Sequence, residues 1–262
     1  MKQGFRGRLT GLVGVGLAGT ALLGSCRHTV EVVPTYTSYF PLEIGSYRSY
    51  VVQDSTWTAG KVSASQFQVR EVVTEQFTDA AGQPAYRLTR ARRADASQAW
   101  ADDSVLVVQP LARALLLTRG NVRTVELIYP PAPGKAWNQF AFTVNGQALT
   151  YQFPDTITNP TRHYARKPVG GSYNAPAASP APAASYPTTV TVLDSLPVAL
   201  NDGVYRRSGY QQVFAQGVGP VLRRRYFYRT FTTASNGAEI ATPGIIQNGT
   251  SRREMLLETG KI

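Results

Sequence analysis

The chain has 262 residues, with 27 Lys and Arg against 16 Asp and Glu for a formal charge of +11, 43% hydrophobic content and a single cysteine. One cysteine excludes a disulfide-built scaffold, and this apolar share is enough for a packed core, which excludes a chain disordered throughout. The basic balance first suggests nucleic acid, but the start of the chain points to other partners.

Arg6 and Arg8 precede an apolar run, Leu9 to Leu23, that leads into Leu23-Gly24-Ser25-Cys26. A basic segment, a short apolar segment and small residues before a cysteine make up a bacterial lipoprotein signal. In such signals the protease cuts before the cysteine, whose thiol carries a diacylglycerol and whose new amino group is acylated. The run is 15 residues long and broken by four glycines, whereas a membrane-spanning helix needs about 20 apolar residues. Residues 1–25 are therefore expected to be removed, leaving Cys26 as the lipidated first residue, and two or three acyl chains suffice for stable anchoring. Loss of Lys2, Arg6 and Arg8 leaves 24 basic and 16 acidic residues. In the envelope that excess meets lipid headgroups, lipopolysaccharide and peptidoglycan carboxylates, not nucleic acid. Arg supplies 22 of the 27 basic residues, which a GC-rich genome explains as well as an anionic partner does.

Residues 26–38 lack periodicity, contain Pro34 and read as a tether. From Tyr39 apolar and polar residues alternate, predicting strands over 46–58, 66–77, 86–93, 105–109, 112–118 and 122–129, with turns at Asp79-Ala-Ala-Gly82 and Gly120-Asn121. Gln139 to Phe153 reads as a hairpin: Phe140, Phe142 and Val144 alternate, Asn145-Gly146 supplies the turn, and Leu149, Tyr151 and Phe153 alternate back. Further strands are expected over 188–193, 204–215, 221–233 and 253–258, and no long amphipathic helix is evident. Residues 168–187, rich in Ala and Pro, read as a disordered loop inserted in the domain. The 75 residues after Pro187 hold only about four strands, few for an independent sheet domain. The expectation is one all-β domain over 39–262, a single antiparallel, strongly curved sheet or open barrel.

Tyr39-Phe-Pro-Leu-Glu-Ile-Gly45, Phe77-Thr-Asp-Ala-Ala-Gly-Gln-Pro-Ala-Tyr-Arg-Leu88, Trp100, Leu127-Ile-Tyr-Pro130, Gly134-Lys-Ala-Trp-Asn138 and Val213-Phe-Ala-Gln-Gly-Val-Gly219 follow one another in order. As an ordered set over most of 39–230 they resemble a family of uncharacterised lipoproteins from the Bacteroidota. The resemblance implies an envelope lipoprotein with a mostly β domain and brings no activity with it. Two regions depart from it: Gln139-Phe140, where the family tends to carry a glycine, and the Ala/Pro-rich insert. Surface-exposed lipoproteins of that phylum tend to carry acids after the lipidated cysteine. Here Arg27-His28-Thr29-Val30-Glu31 holds one acid, so an outer-membrane anchor with the domain facing the periplasm is expected.

No HxH, HExxH, CxxC, Gly-x-Ser-x-Gly or phosphate-loop pattern occurs, so no metal, cofactor or nucleophilic enzyme is expected. A carboxylate pair is the remaining catalytic option, with Asp54, Asp102, Asp103, Asp155 and Asp194 as candidates, although most sit at strand ends where Asp serves turns. The conspicuous cluster is Arg223-Arg224-Arg225-Tyr226-Phe227-Tyr228-Arg229. Alternation places Arg223, Arg225, Phe227 and Arg229 on one face, with Leu222 marking the other face as core-directed. Arg223, Arg225 and Arg229 are thus candidates for contacting an anionic envelope component or an envelope protein, the plain alternative being a solvated sheet face. Phe140, Phe142 and Tyr151 are candidates for lining an apolar cavity. The function expected is non-catalytic binding or scaffolding at the membrane, with a lipid carrier and a carboxylate hydrolase as alternatives.

Overall fold

The computed structural model describes residues 36–142, 149–150, 156–157, 161–166, 169–195 and 201–262. Cys26, most of the tether, the Asn145-Gly146 turn, Tyr151 and Asp155 lie outside the described residues. Thr35–Ile262 form one compact unit. A single turn of 3-10 helix, Tyr36–Tyr39, precedes six strands joined as a meander: β1 (Ser46–Thr58), β2 (Lys61–Thr78), β3 (Pro84–Arg93), β4 (Ala101–Pro110), β5 (Ala114–Arg119) and β6 (Val122–Ile128). Next come β7 (Ala136–Asn138), the short pair β8 (Leu149–Thr150) and β9 (Thr156–Ile157), then β10 (Thr161–Tyr164) and β11 (Gly171–Ala175). Last are β12 (Ala184–Ser195), β13 (Arg206–Ala215), β14 (Gly219–Ser235) and β15 (Ala238–Lys261).

All pairings are antiparallel, and the main sheet runs β6-β5-β4-β3-β2-β1-β15-β14-β13-β12-β10-β7, with β11 attached to β12. Its two end strands meet. The Val125 amide of β6 donates to the Gln139 carbonyl just past β7 at 2.7 Å. Trp137 Nε1 returns a bond to the Val125 carbonyl at 3.0 Å, and the Tyr164 hydroxyl donates to the Ile128 carbonyl at 2.6 Å while accepting from the Ile128 amide at 3.1 Å. The sheet is therefore a nearly closed barrel, which leaves few backbone groups at a free edge.

Turn chemistry matches the expectation at Gly120-Asn121 and at Asp79 to Gly82. Ala59-Gly60, Gly120-Asn121 and Asn236-Gly237 all have positive φ, the conformation two-residue hairpin turns require. The Asp79 carboxylate accepts from the amides of Ala81 and Gln83 and fixes the β2–β3 turn. Three strand glycines face cross-strand tyrosines: Gly209 opposite Tyr226, Gly249 opposite Tyr228 and Gly260 opposite Tyr47. Each ring lies where the missing Cβ would be, so the tyrosine covers backbone the glycine leaves bare.

One end of the barrel is filled by a core that includes Tyr39, Phe40, Val73, Leu88, Trp137, Tyr164 and Phe214. The Ser38 carbonyl accepts from the Gly217 amide at 2.7 Å. Residues 36–38 thus belong to the domain and not to the tether. Three further expectations are corrected. The insert expected at 168–187 is not a disordered loop: its described residues, 169–187, belong to the β11–β12 hairpin, because Tyr173 and Tyr186 flank its Ala/Pro stretch and pack, with Ala178, against a second core of Val213, Leu222 and Met255. Gln139 to Phe142 is not a strand arm but a turn. There Asn138 Oδ1 accepts from the Phe140 amide at 2.8 Å, capping β7 and leaving Phe140 buried and Phe142 exposed. Finally β15 is far longer than the expected 253–258, because Thr242-Pro243-Gly244 is absorbed within the strand instead of ending it.

Gly249→Ala would set its Cβ 2.5 Å from the Phe227 carbonyl oxygen. A loss of about 1–3 kcal/mol in urea unfolding is expected; an unchanged midpoint would show that the β14–β15 pair gives way freely.

Candidate functional site

The strand registers decide which side chains share the lumen. Glu71 stands opposite Arg48 on β1 and Arg90 on β3. Arg223 stands opposite Glu254 on β15 and Gln212 on β13, and Arg162 stands opposite Asp194 on β12 and Trp137 on β7. Above the apolar end, the interior is thus crossed by charge.

Four of these residues close a ring. Arg90 donates to Glu71 at 3.2 Å and to Glu254 at 2.9 Å. Arg223 Nη1 donates to Glu71 at 2.8 Å and to Glu254 at 3.0 Å, while its Nη2 reaches the second Glu71 oxygen at 3.0 Å. Two guanidinium and two carboxylate charges cancel, and the hydrogen bonds fill the fork of each partner. Glu71 is 0% exposed. Burial pushes its pKa up, but the charge and hydrogen bonds of Arg223, then the charges of Arg90 and Arg48, outweigh it and bring the pKa down to about 2. Glu254 is held low in the same way, burial being overcome by Arg223 and Arg90. The Arg223 guanidinium lies 4.8 Å from the Tyr50 ring, and burial raises the Tyr50 hydroxyl to about 12.

A second cluster spans the seam. Arg162 on β10 pairs with Glu126 on β6 at 3.0 Å, donates to the Val125 carbonyl at 3.3 Å and lies over the Tyr210 ring at 4.4 Å. Arg162 keeps Glu126 below the usual carboxylate range despite burial. Asp194 is different: its carboxylate is 3.7 Å from Arg162 Nε, and burial outweighs that arginine and raises its pKa.

Between the two clusters lies a cavity of about 380 Å³ whose lining contains six arginines and two glutamates, Glu126 and Glu254. Arg223, Arg162 and Arg252 are each paired with acids. Leu117, Val122 and Phe140 form an apolar stretch of its wall. Arg225 and Arg119 are exposed, so the cavity opens to solvent on their side.

The expected site residues scatter across this geometry. Alternation on β14 is as expected, but its sense is reversed: Arg223 and Phe227 face the lumen, while Leu222 packs outside beneath the β11–β12 hairpin. Arg223 is consumed by ion pairs, Arg225 stands at the cavity mouth and Arg229 is half-buried farther along the strand. Phe140 lines the cavity and Phe142, 53% exposed, does not. Among the acids, Asp54 pairs with Arg252 at 2.6 Å, Asp102 and Asp103 are exposed, and Asp202 caps a turn by accepting three backbone amides. Among the described residues no His, Cys, Asp and Glu group could hold a metal ion. Sequence reading missed Glu71, Glu126, Arg162 and Glu254, whose signal was a single charge within otherwise apolar alternation, as in Phe67-Gln-Val69-Arg-Glu71-Val-Val73.

No family model and no curated protein matches the sequence. Two solved structures are similar to it. One is a candidate exported protein of Bacteroides fragilis with a YmcC-like fold, 11% identical with a TM-score of 0.39; the alignment covers 85% of this chain and 98% of that one. The other is a candidate lipoprotein of Parabacteroides distasonis, 10% identical with a TM-score of 0.34 and the same coverages. Neither likeness is close enough to carry a property across to this chain.

Because the folded pKa of Glu71 lies below its ordinary value of 4.5, its contribution to stability is present above pH 4.5 and is lost as pH falls from there toward 2. Glu71→Gln leaves two buried guanidinium groups short of a charge. It is expected to cost about 3–5 kcal/mol at neutral pH and to flatten the acid limb of urea midpoint against pH. A variant as stable as the parent would mean that the ring is not closed in solution.

Proposed function

We propose that this chain is an envelope lipoprotein, anchored through Cys26, that binds a small molecule inside its barrel without transforming it. The observation that carries the reading is the open cavity of about 380 Å³, within the range of small-molecule sites. A barrel built only as a scaffold has no need of an open interior held by eight charged side chains. In the cavity lining, Glu126 and Glu254 are both held low by arginines, and Asp194, whose pKa is raised, is not part of that lining, which argues against a protonated acid placed there for glycoside cleavage. The carrier alternative gains a cavity with Phe140 in its lining and Phe142 outside it, while Tyr151 lies outside the described residues. The outer-membrane anchor and periplasmic orientation follow from the signal and from the single acid after Cys26.

Native mass spectrometry of the protein extracted in mild detergent tests this. A bound small molecule is expected, and Leu117→Trp, which fills the cavity, should abolish it; a retained protein partner with an empty lumen would favour scaffolding instead. Metabolic labelling with a fatty-acid analogue should label the parent protein and not Cys26→Ser, and a parent that takes up no label would remove the lipid anchor from the account.

A further inference from the structure

Resting on that reading, we infer that the cavity takes a small molecule bearing an oxyanion, a phosphate or a carboxylate, on an apolar body. The charge balance of the lining is the first ground. Arg162, Arg223 and Arg252 are matched by Glu126, Glu71, Glu254 and Asp54. Of the other three, Arg224 lies 4.9 Å from the Tyr226 ring, while the Arg119 and Arg225 side chains have no ion pair or hydrogen bond among the described residues, although Arg225 lies 5.5 Å from the Tyr210 ring. They stand on β5 and β14, six strands apart along a twelve-strand path that closes on itself, and so on opposite walls of the lumen. An anion between or beside them would meet two guanidinium forks already directed to one space.

The state of Arg119 is the second ground. Its surface is open at the mouth, yet the protein around it costs its charge hydration and Arg90 and Arg223 repel it, which lowers its pKa. An incoming negative charge relieves both effects. A third ground is Gln139, 1% exposed and part of the lining, whose Oε1 has no hydrogen-bond partner. A buried amide atom without a partner is costly: as placed, Oε1 would accept from a ligand hydroxyl, and with the amide turned over, Nε2 would donate to a ligand oxyanion. The apolar body is called for by Leu117, Val122 and Phe140 on the wall away from β14. A bare inorganic anion would leave that wall uncovered.

The test is calorimetric titration of the full chain carrying Cys26→Ser, so that no acyl anchor competes, with octyl phosphate, octanoate, octanol and inorganic phosphate. At least one octyl anion is expected to bind ten-fold or more tighter than octanol and than inorganic phosphate, and preference between the two octyl anions identifies the headgroup. The double variant Arg119→Gln, Arg225→Gln removes no ion pair and is expected to keep its melting temperature while losing at least ten-fold in affinity. Arg113→Gln, on the exposed surface, should change neither. Octanol binding as tightly as the anions would overturn the oxyanion while leaving ligand binding in the lumen intact. Inorganic phosphate binding as tightly would overturn the apolar body. Binding by none of the four would overturn both this inference and the cavity reading on which it rests.

Discussion

The ring of Glu71, Arg90, Arg223 and Glu254 is the constraint on which the rest of this barrel depends. Charge in a protein interior is costly unless it is matched and hydrogen-bonded, and here the matching partners come from β2, β3, β14 and β15. Neighbouring strands supply the pairs Glu71–Arg90 and Arg223–Glu254, and all four strands must be brought to one register before the ring closes. Arg162 and Glu126 impose the same demand across the seam between β10 and β6. The two sets therefore tie opposite parts of a sheet whose ends, among the described residues, share one backbone hydrogen bond, from Val125 to Gln139.

This arrangement explains why the lumen is neither a solid core nor an empty tube. Aromatic and aliphatic side chains, with Tyr39 and Phe40 supplied by the segment before β1, fill one end. Ion pairs cross the middle, where long charged side chains reach one another and hold the walls apart. Above them the same strands continue with Arg225 and Arg252 on β14 and β15 and Arg119 on β5, too few acids remain to match them, and an accessible space with a positive lining is left.

Much of the fold was legible in the sequence because it is written in local terms. Strand alternation, the Gly120-Asn121 turn and the Asp79 turn depend on neighbours a few residues away, and each was found where expected. What was not legible depended on distant partners. Arg223 could be assigned to a face but not to the inside, because only pairing with Glu71, 152 residues away, makes an inward arginine tolerable. Leu222 suggested the opposite sense, since a second core beneath the β11–β12 hairpin buries the outer face as well. That hairpin was itself hidden in an Ala/Pro-rich stretch whose two tyrosines carry the burial. Phe140 and Phe142 alternate on paper, but the Asn138 side chain turns the backbone before a strand can continue.

Anomalous diffraction from crystals soaked in bromide would test the central claim most directly, because it locates both the open space and its sign. Ordered bromide inside the lumen beside Arg119 or Arg225, above an unbroken ring of Glu71, Arg90, Arg223 and Glu254, is the predicted result. Bromide confined to the outer surface, with side chains filling the lumen, would contradict it.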